Sequence, residues 1–260
     1  MAKSGRCASI SKAIASSIER QLQPCATPLG GNPRARLWNT LLQIRTLNQE
    51  TMPSDVDIDV DESPFTALNP ERPLQLLAEW VQEAKDLGLA EPDAMNLATV
   101  DAEGNPHNRM VLMRHINERE IGFFTNLESR KAADIFATQR TSSTLWWPQL
   151  GRQVRVEGRA VEMPRDMVEA YYQSRPRKSQ IAAWASKQST ALASMDRLHQ
   201  DFRHYEEQFS DQTVPTPTFW GGFIVHVDKI EYWCGKPFRL HERIVLTKEK
   251  EDWSTTRIYP

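Results

Sequence analysis

Eight short runs of strand-forming residues, at 96–100, 109–114, 121–125, 142–147, 153–160, 222–227, 230–234 and 243–247, constrain the fold of this chain more than any other feature. Turn signals such as Asp101-Ala102-Glu103-Gly104 lie between them. Many short strands at close spacing predict a barrel, and so a mainly β chain with peripheral helices, of the α+β kind. A helical pattern precedes the strands: Leu74, Leu76, Leu77, Trp80, Val81 and Ala84, ending near Gly88. Further helices are expected at 129–138, at 164–173 with Pro164 in its first turn, and at 193–209, where Leu198, Phe202, Tyr205 and Phe209 form a stripe read as core.

Composition removes several function classes. A formal charge of −2 argues against a general nucleic-acid binder, and no apolar run approaches the roughly 20 residues of a membrane span. Cys7, Cys25 and Cys234 form no CxxC pair, so neither a structural metal nor a disulfide is expected, and their odd number fits a reducing compartment. Alternating acids from Asp55 fail the calcium-loop test, because Val60 and Thr66 stand where Gly and Glu are needed.

Residues 1–62 are set apart as an N-terminal arm and acidic linker, and 63–260 as the functional domain. The first 49 residues carry seven Lys or Arg against the single acid Glu19, with five serines between positions 4 and 17. Two readings stand open: a disordered arm on a cytoplasmic protein, or an amphipathic mitochondrial targeting peptide built on Ile10, Ala13, Ile14, Ile18 and Leu22.

Chemistry concentrates in five clusters. Residues 233–243 place Trp233, Arg239, His241 and Arg243 within eleven positions; an extended segment would put the last three on one face, suited to an anion or an electron-rich ring. Arg109 and Arg114 bracket an apolar strand on opposite faces. Residues 125–131 feed a strand end into a helix N-terminus with hydroxyls, Arg130 and Lys131, a phosphate-binding arrangement that lacks the glycines of a P-loop or dinucleotide fingerprint; Ala132, Ala133, Ile135 and Phe136 are expected inward. Tyr171, Ser174, Arg175, Arg177, Lys178, Ser179 and Gln180 form a second anion pocket, read as a loop between helices. Gln153, on a strand whose Val154 and Val156 face the other way, offers an amide to a heterocycle edge. Three clusters also have plain readings: 233–243 as an exposed polar strand edge, 125–131 as a Ser-capped surface helix and 171–180 as a solvated basic loop.

Taken with the motifs at 184–189 and Phe219-Trp220-Gly221-Gly222, these clusters resemble the pyridoxine 5′-phosphate oxidase family, in order, from about residue 65 to the closing Arg257-Ile258-Tyr259-Pro260. The resemblance implies an FMN-binding split β-barrel, homodimeric, with two flavins at the subunit interface. It implies FMN contacts from Arg109, Met110, Val111, Leu112, Phe124, Thr125, Arg130, Lys131, Gln153, Gln188, Ser189, Trp233 and Arg243. It assigns the substrate phosphate to Arg114, Tyr171, Arg175 and Ser179, and the pyridine ring with its C4′ substituent to Arg239, Leu240 and His241, of which Arg239 and His241 are the catalytic pair. The implied reaction oxidises pyridoxine 5′-phosphate or pyridoxamine 5′-phosphate to pyridoxal 5′-phosphate with O₂ as acceptor. Arg114, Cys234 and Glu242 stand where the family commonly has Lys, Gln and Asp. Rival readings are a related flavin oxidase of another substrate, such as those of phenazine pathways, and a non-catalytic FMN or pyridoxal phosphate carrier.

Overall fold

The computed structural model describes residues 63–66 and 68–260, so the N-terminal arm and its two readings lie outside the described residues. Helix α1 (Gln75–Asp86) buries Leu76, Leu77, Trp80, Val81 and Ala84, the face its 3.6-residue spacing dictates. It stops at Gly88, whose φ of +69° a side chain would resist.

Nine strands follow in one antiparallel sheet: β1 (Ala94–Val100), β2 (Pro106–Leu112), β3 (His115–Ile116), β4 (Glu120–Asn126), β5 (Arg140–Trp147), β6 (Arg152–Glu162), β7 (Trp220–Cys234), β8 (Glu242–Glu249) and β9 (Asp252–Arg257). Helix α2 (Arg130–Thr138) links β4 to β5, while α3 (Arg165–Ser174), α4 (Arg177–Ala185) and α5 (Met195–Gln208) lie between β6 and β7. The strand order is β2-β1-β5-β6-β7-β4-β3, with β8 and β9 branching from β7.

The branch explains the split form of the barrel. Strand β7 pairs with β6 along its length, but on its other edge the first half pairs with β4 and the second half with β8. One strand thus belongs to two sheet halves. The runs at 222–227 and 230–234 are therefore one strand, not two, because the polar Asp228-Lys229 step is absorbed by a bulge beside Glu157 and Gly158. A Cβ on Gly158 would sit 2.2 Å from the His226 carbonyl oxygen, so only glycine allows that approach.

Two cores result. Inside the barrel, Met95, Leu97, Phe123, Leu145, Val154, Val156, Phe223, Ile230 and Tyr232 are buried together with the inner face of α1. On the outside, Val168, Tyr172, Ile181, Phe209 and Trp220 cement α3 and α4 to β7.

Three local expectations are corrected. Residues 174–180 are not a loop: Ser174 closes α3, and Arg177 starts α4 after a two-residue break at Pro176. On α2 the inward face is Lys131, Ala132, Asp134 and Ile135, whereas Ala133 is exposed and Phe136 lies 52% exposed; the helix is rotated so that two charged side chains point in. The α5 stripe is less a core than predicted, since only Phe209 of the four is buried while Leu198, Phe202 and Tyr205 are half-buried.

Candidate functional site

A cavity of about 440 Å³ opens where the end of β2, the end of β4, the start of α2 and helices α3 and α4 converge. Met110, Val111 and Leu112 enter it from β2, Phe124 and Thr125 from β4, Lys131 from α2, Tyr171 from α3, Arg175 and Ser179 from the α3–α4 corner, and Gln188 from the following loop. Arg114 completes the set from just beyond β2. With Trp220 from β7, sequence separation of up to 110 positions is thereby collapsed into one wall.

Arg175 is held in that wall by aromatic rings. Its guanidinium lies 4.9 Å from the Trp220 ring centre and 5.8 Å from that of Tyr172, stacked on π-faces. Its Nη1 is buried and has no hydrogen-bond partner among the described residues. An unpartnered buried N–H of a cation is costly unless an anion completes it. Burial lowers the Arg175 pKa, with the Tyr172 and Tyr171 hydroxyls opposing, but an arginine stays charged. Phe124, Tyr171 and Trp220 lie near-parallel beside it, Phe124 4.0 Å from Tyr171 and 5.4 Å from Trp220, and the latter two 6.2 Å apart.

Lys131, 8% exposed, spends its three N–H bonds on Thr125 Oγ1 at 3.0 Å, Ser129 Oγ at 3.0 Å and Gln188 Oε1 at 2.6 Å. Burial, aided by the Arg109 charge, pushes its pKa down from 10.5 to about 8. Ser129 occupies the N-cap position of α2, yet its hydroxyl donates to the Asn126 carbonyl rather than capping the helix. The first-turn amides of α2 therefore lack a side-chain cap, as an anion-binding helix start requires. Arg114, the departure from lysine, is ion-paired to Asp93, which is 6% exposed at the entry to β1.

Arg109, Arg130 and Ser189 line a second cavity, of about 620 Å³, that shares Met110, Lys131 and Gln188 with the first. The two cationic sets are thus separate but contiguous, joined through Met110, Lys131 and Gln188. A third group is formed by cross-strand pairing: Trp146 lies opposite Gln153, Gln153 opposite Trp233 and Trp233 opposite Arg243, one row across β5, β6, β7 and β8. Arg243 is aimed by Glu231, 7% exposed, which accepts its Nε–H at 2.8 Å and lies 2.8 Å from its Nη2 as an ion pair.

Residues 233–243 are not one extended strand, so the expected shared face of Arg239, His241 and Arg243 does not form. Pro237–Arg239 is a 3₁₀ turn in which Phe238 and Arg239 take φ of 57° and 62°. Arg239 and Leu240 are exposed, and the His241 ring packs on Trp233 at 4.6 Å while its Nδ1 accepts the Lys236 backbone N–H at 3.1 Å. None of Gln153, Trp233, Arg239, Leu240, His241 and Arg243 lines either of the first two cavities.

Some lining residues carry no sequence signal. Ala182 and Ala183 enter the first cavity because α4 is a helix, and Asp93 reaches Arg114 across 21 positions.

Comparison with known proteins adds an independent line. Residues 81–209 match a family model described as pyridoxamine 5′-phosphate oxidase, and residues 220–260 match one described as the pyridoxine 5′-phosphate oxidase C-terminal dimerisation region. A pyridoxine/pyridoxamine 5′-phosphate oxidase of Leptospira biflexa is 40% identical over 188 residues, covering 72% of this chain and 89% of that protein. One of Shewanella frigidimarina is 42% identical over 191 residues, covering 74% and 90%. Among solved structures, PhzG from Burkholderia lata, in complex with tetrahydrophenazine-1-carboxylic acid, aligns with a TM-score of 0.72 at 26% identity, over 79% of this chain and 100% of that one.

Proposed function

The chain belongs to the pyridoxamine 5′-phosphate oxidase family, and from that premise we propose that it is an FMN-dependent oxidase converting pyridoxine 5′-phosphate and pyridoxamine 5′-phosphate to pyridoxal 5′-phosphate. The observation that carries the substrate reading is the cavity lined by Arg114, Tyr171, Arg175 and Ser179, with the Arg175 Nη1 buried and without a hydrogen-bond partner among the described residues. A phosphate monoester supplies the acceptor oxygens that this set lacks.

The residues fit the cofactor as well. Arg109 from β2, with Arg130 and Lys131 at an uncapped helix start, suits its phosphate, and Met110, Val111, Leu112, Thr125, Gln188 and Ser189 lie beside them to receive the ring system. When bound, FMN supplies the hydride acceptor at N5 and delivers the electron pair to O₂, giving H₂O₂. The protein contributes position and electrostatics. Arg114, Tyr171, Arg175 and Ser179 fix the substrate phosphate, and with it the C4′ carbon. Arg239 covers the pyridine ring, and His241 orients the C4′ hydroxyl or amine and takes its proton as hydride leaves the carbon. The aldehyde results directly from the alcohol; from the amine, addition of water releases ammonia.

Homodimer formation completes this site in our reading. The dimerisation-region match spans 220–260, and Trp233, Arg239, His241 and Arg243 all lie in that span but outside the two cavities. A second subunit presenting them, with Gln153, over the first subunit's cavity brings the full set together.

Purified protein with FMN and pyridoxine 5′-phosphate under air tests the reading: pyridoxal 5′-phosphate and H₂O₂ are expected in equal amounts. A flavin-loaded protein inert toward both B6 phosphates would contradict it and favour an oxidase of another substrate or a carrier. His241→Ala and Arg239→Ala should each lower kcat/KM by ~10²–10⁴-fold with FMN still bound.

A further inference from the structure

A carboxylate stands behind the cations of the second cavity. Asp134, 4% exposed on the inner face of α2, accepts the Thr99 Oγ1 proton at 2.6 Å and the His107 Nδ1 proton at 3.1 Å, and lies 3.7 Å from Arg109 Nη2. The Thr99 hydroxyl oxygen in turn accepts Arg109 Nη1–H at 2.7 Å. On its other side the His107 ring accepts at Nε2 from Arg130 Nη2 at 2.5 Å. A ring that donates at Nδ1 to a carboxylate and accepts at Nε2 from a guanidinium is the neutral Nδ1–H tautomer. One buried carboxylate thus reaches both arginines, Arg109 directly and through Thr99, Arg130 through His107.

The arrangement solves two physical problems. Arg109 is partly buried between β1 and β2, and a buried guanidinium needs an opposite charge and filled donors. Long arginine side chains also lose much rotamer freedom when they grip a ligand, a cost that falls if they are held beforehand. A carboxylate in front of the arginines would repel a phosphate, but behind them it orients their free N–H groups outward. His107 itself lines the cavity.

We propose that His107 and Asp134 are positioning residues for the phosphate grip of the cofactor site, setting Arg109 and Arg130 before the ligand arrives. The inference rests on the reading that these two arginines hold the phosphate of FMN.

Full-length protein freed of flavin, titrated with FMN and with riboflavin, which lacks the phosphate, separates this role from a structural one. In His107→Phe and Asp134→Asn, FMN affinity falls roughly ten-fold, the weight of one charge-assisted hydrogen bond. Riboflavin affinity stays at the wild-type value in both. His107→Gln, whose amide can accept from Arg130, recovers part of the loss. Unchanged FMN affinity in both variants overturns the proposal, as does an equal loss for FMN and riboflavin. Arg109→Ala is the reference: if it weakens FMN while the other variants do not, only the positioning role fails, and if it too leaves FMN affinity unchanged, the phosphate assignment fails with it.

Discussion

The guanidinium of Arg175 lies 4.9 Å over the ring of Trp220, with its Nη1 buried and without a hydrogen-bond partner among the described residues. A cation held this way is prepared for an anion it has yet to meet.

Arg175→Ala removes that prepared donor set. KM for pyridoxine 5′-phosphate should rise ~10–100-fold with kcat largely kept, the signature of lost binding that is uniform between ground and transition state. Steady-state kinetics check it, and an unchanged KM would remove Arg175 from the substrate site.

Lys131 gives a pH signature. Its pKa is lowered by folding from 10.5 to about 8, so between those values the unfolded chain holds a proton that the folded chain has lost. Stability of the flavin-free protein should therefore rise with pH across that window. FMN affinity should move oppositely, falling as pH climbs through about 8 and the ammonium discharges. Lys131→Met should flatten both trends, as thermal denaturation and flavin titration at several pH values will show.

Tyr232 tests the core rather than the site. It is fully buried, donates to the Pro73 carbonyl at 2.7 Å and accepts the Leu77 N–H at 3.1 Å, clamping the start of α1 to β7. Tyr232→Phe leaves both backbone groups unpaired and should cost about 1–3 kcal/mol in denaturant unfolding.

Sharing of the site between subunits can be read from mixed dimers. Arg175→Ala and Arg239→Ala homodimers should both be weak, but mixing them should restore roughly a quarter of wild-type activity, because half of a statistical mixture is heterodimer and each heterodimer carries one intact site. No gain on mixing would place both residues in the same subunit's site.

What the sequence revealed follows from the range of the interactions involved. The strand runs, α1, and the hydroxyl–cation start of α2 were legible because strand alternation, helical periodicity and residue order are local. The continuous β7 was not, since whether Asp228-Lys229 turns or bulges depends on how closely Gly158 of β6 approaches. Helix α4 was hidden by Pro176 and a polar first turn, and its burial rests on partners more than 25 residues away, such as Phe209 and Val214. The site residues were named through family resemblance. Their grouping into two contiguous cavities and a separate row on β5–β8 needed coordinates, as did the pairing of Arg114 with Asp93.

The most direct measurement is anaerobic mixing of the FMN-loaded protein with pyridoxine 5′-phosphate, followed by the flavin's visible absorbance. Bleaching with one pyridoxal 5′-phosphate formed per flavin, and return of the colour with H₂O₂ on admitting O₂, is the predicted result. A flavin that stays oxidised with both pyridoxine 5′-phosphate and pyridoxamine 5′-phosphate would contradict the account.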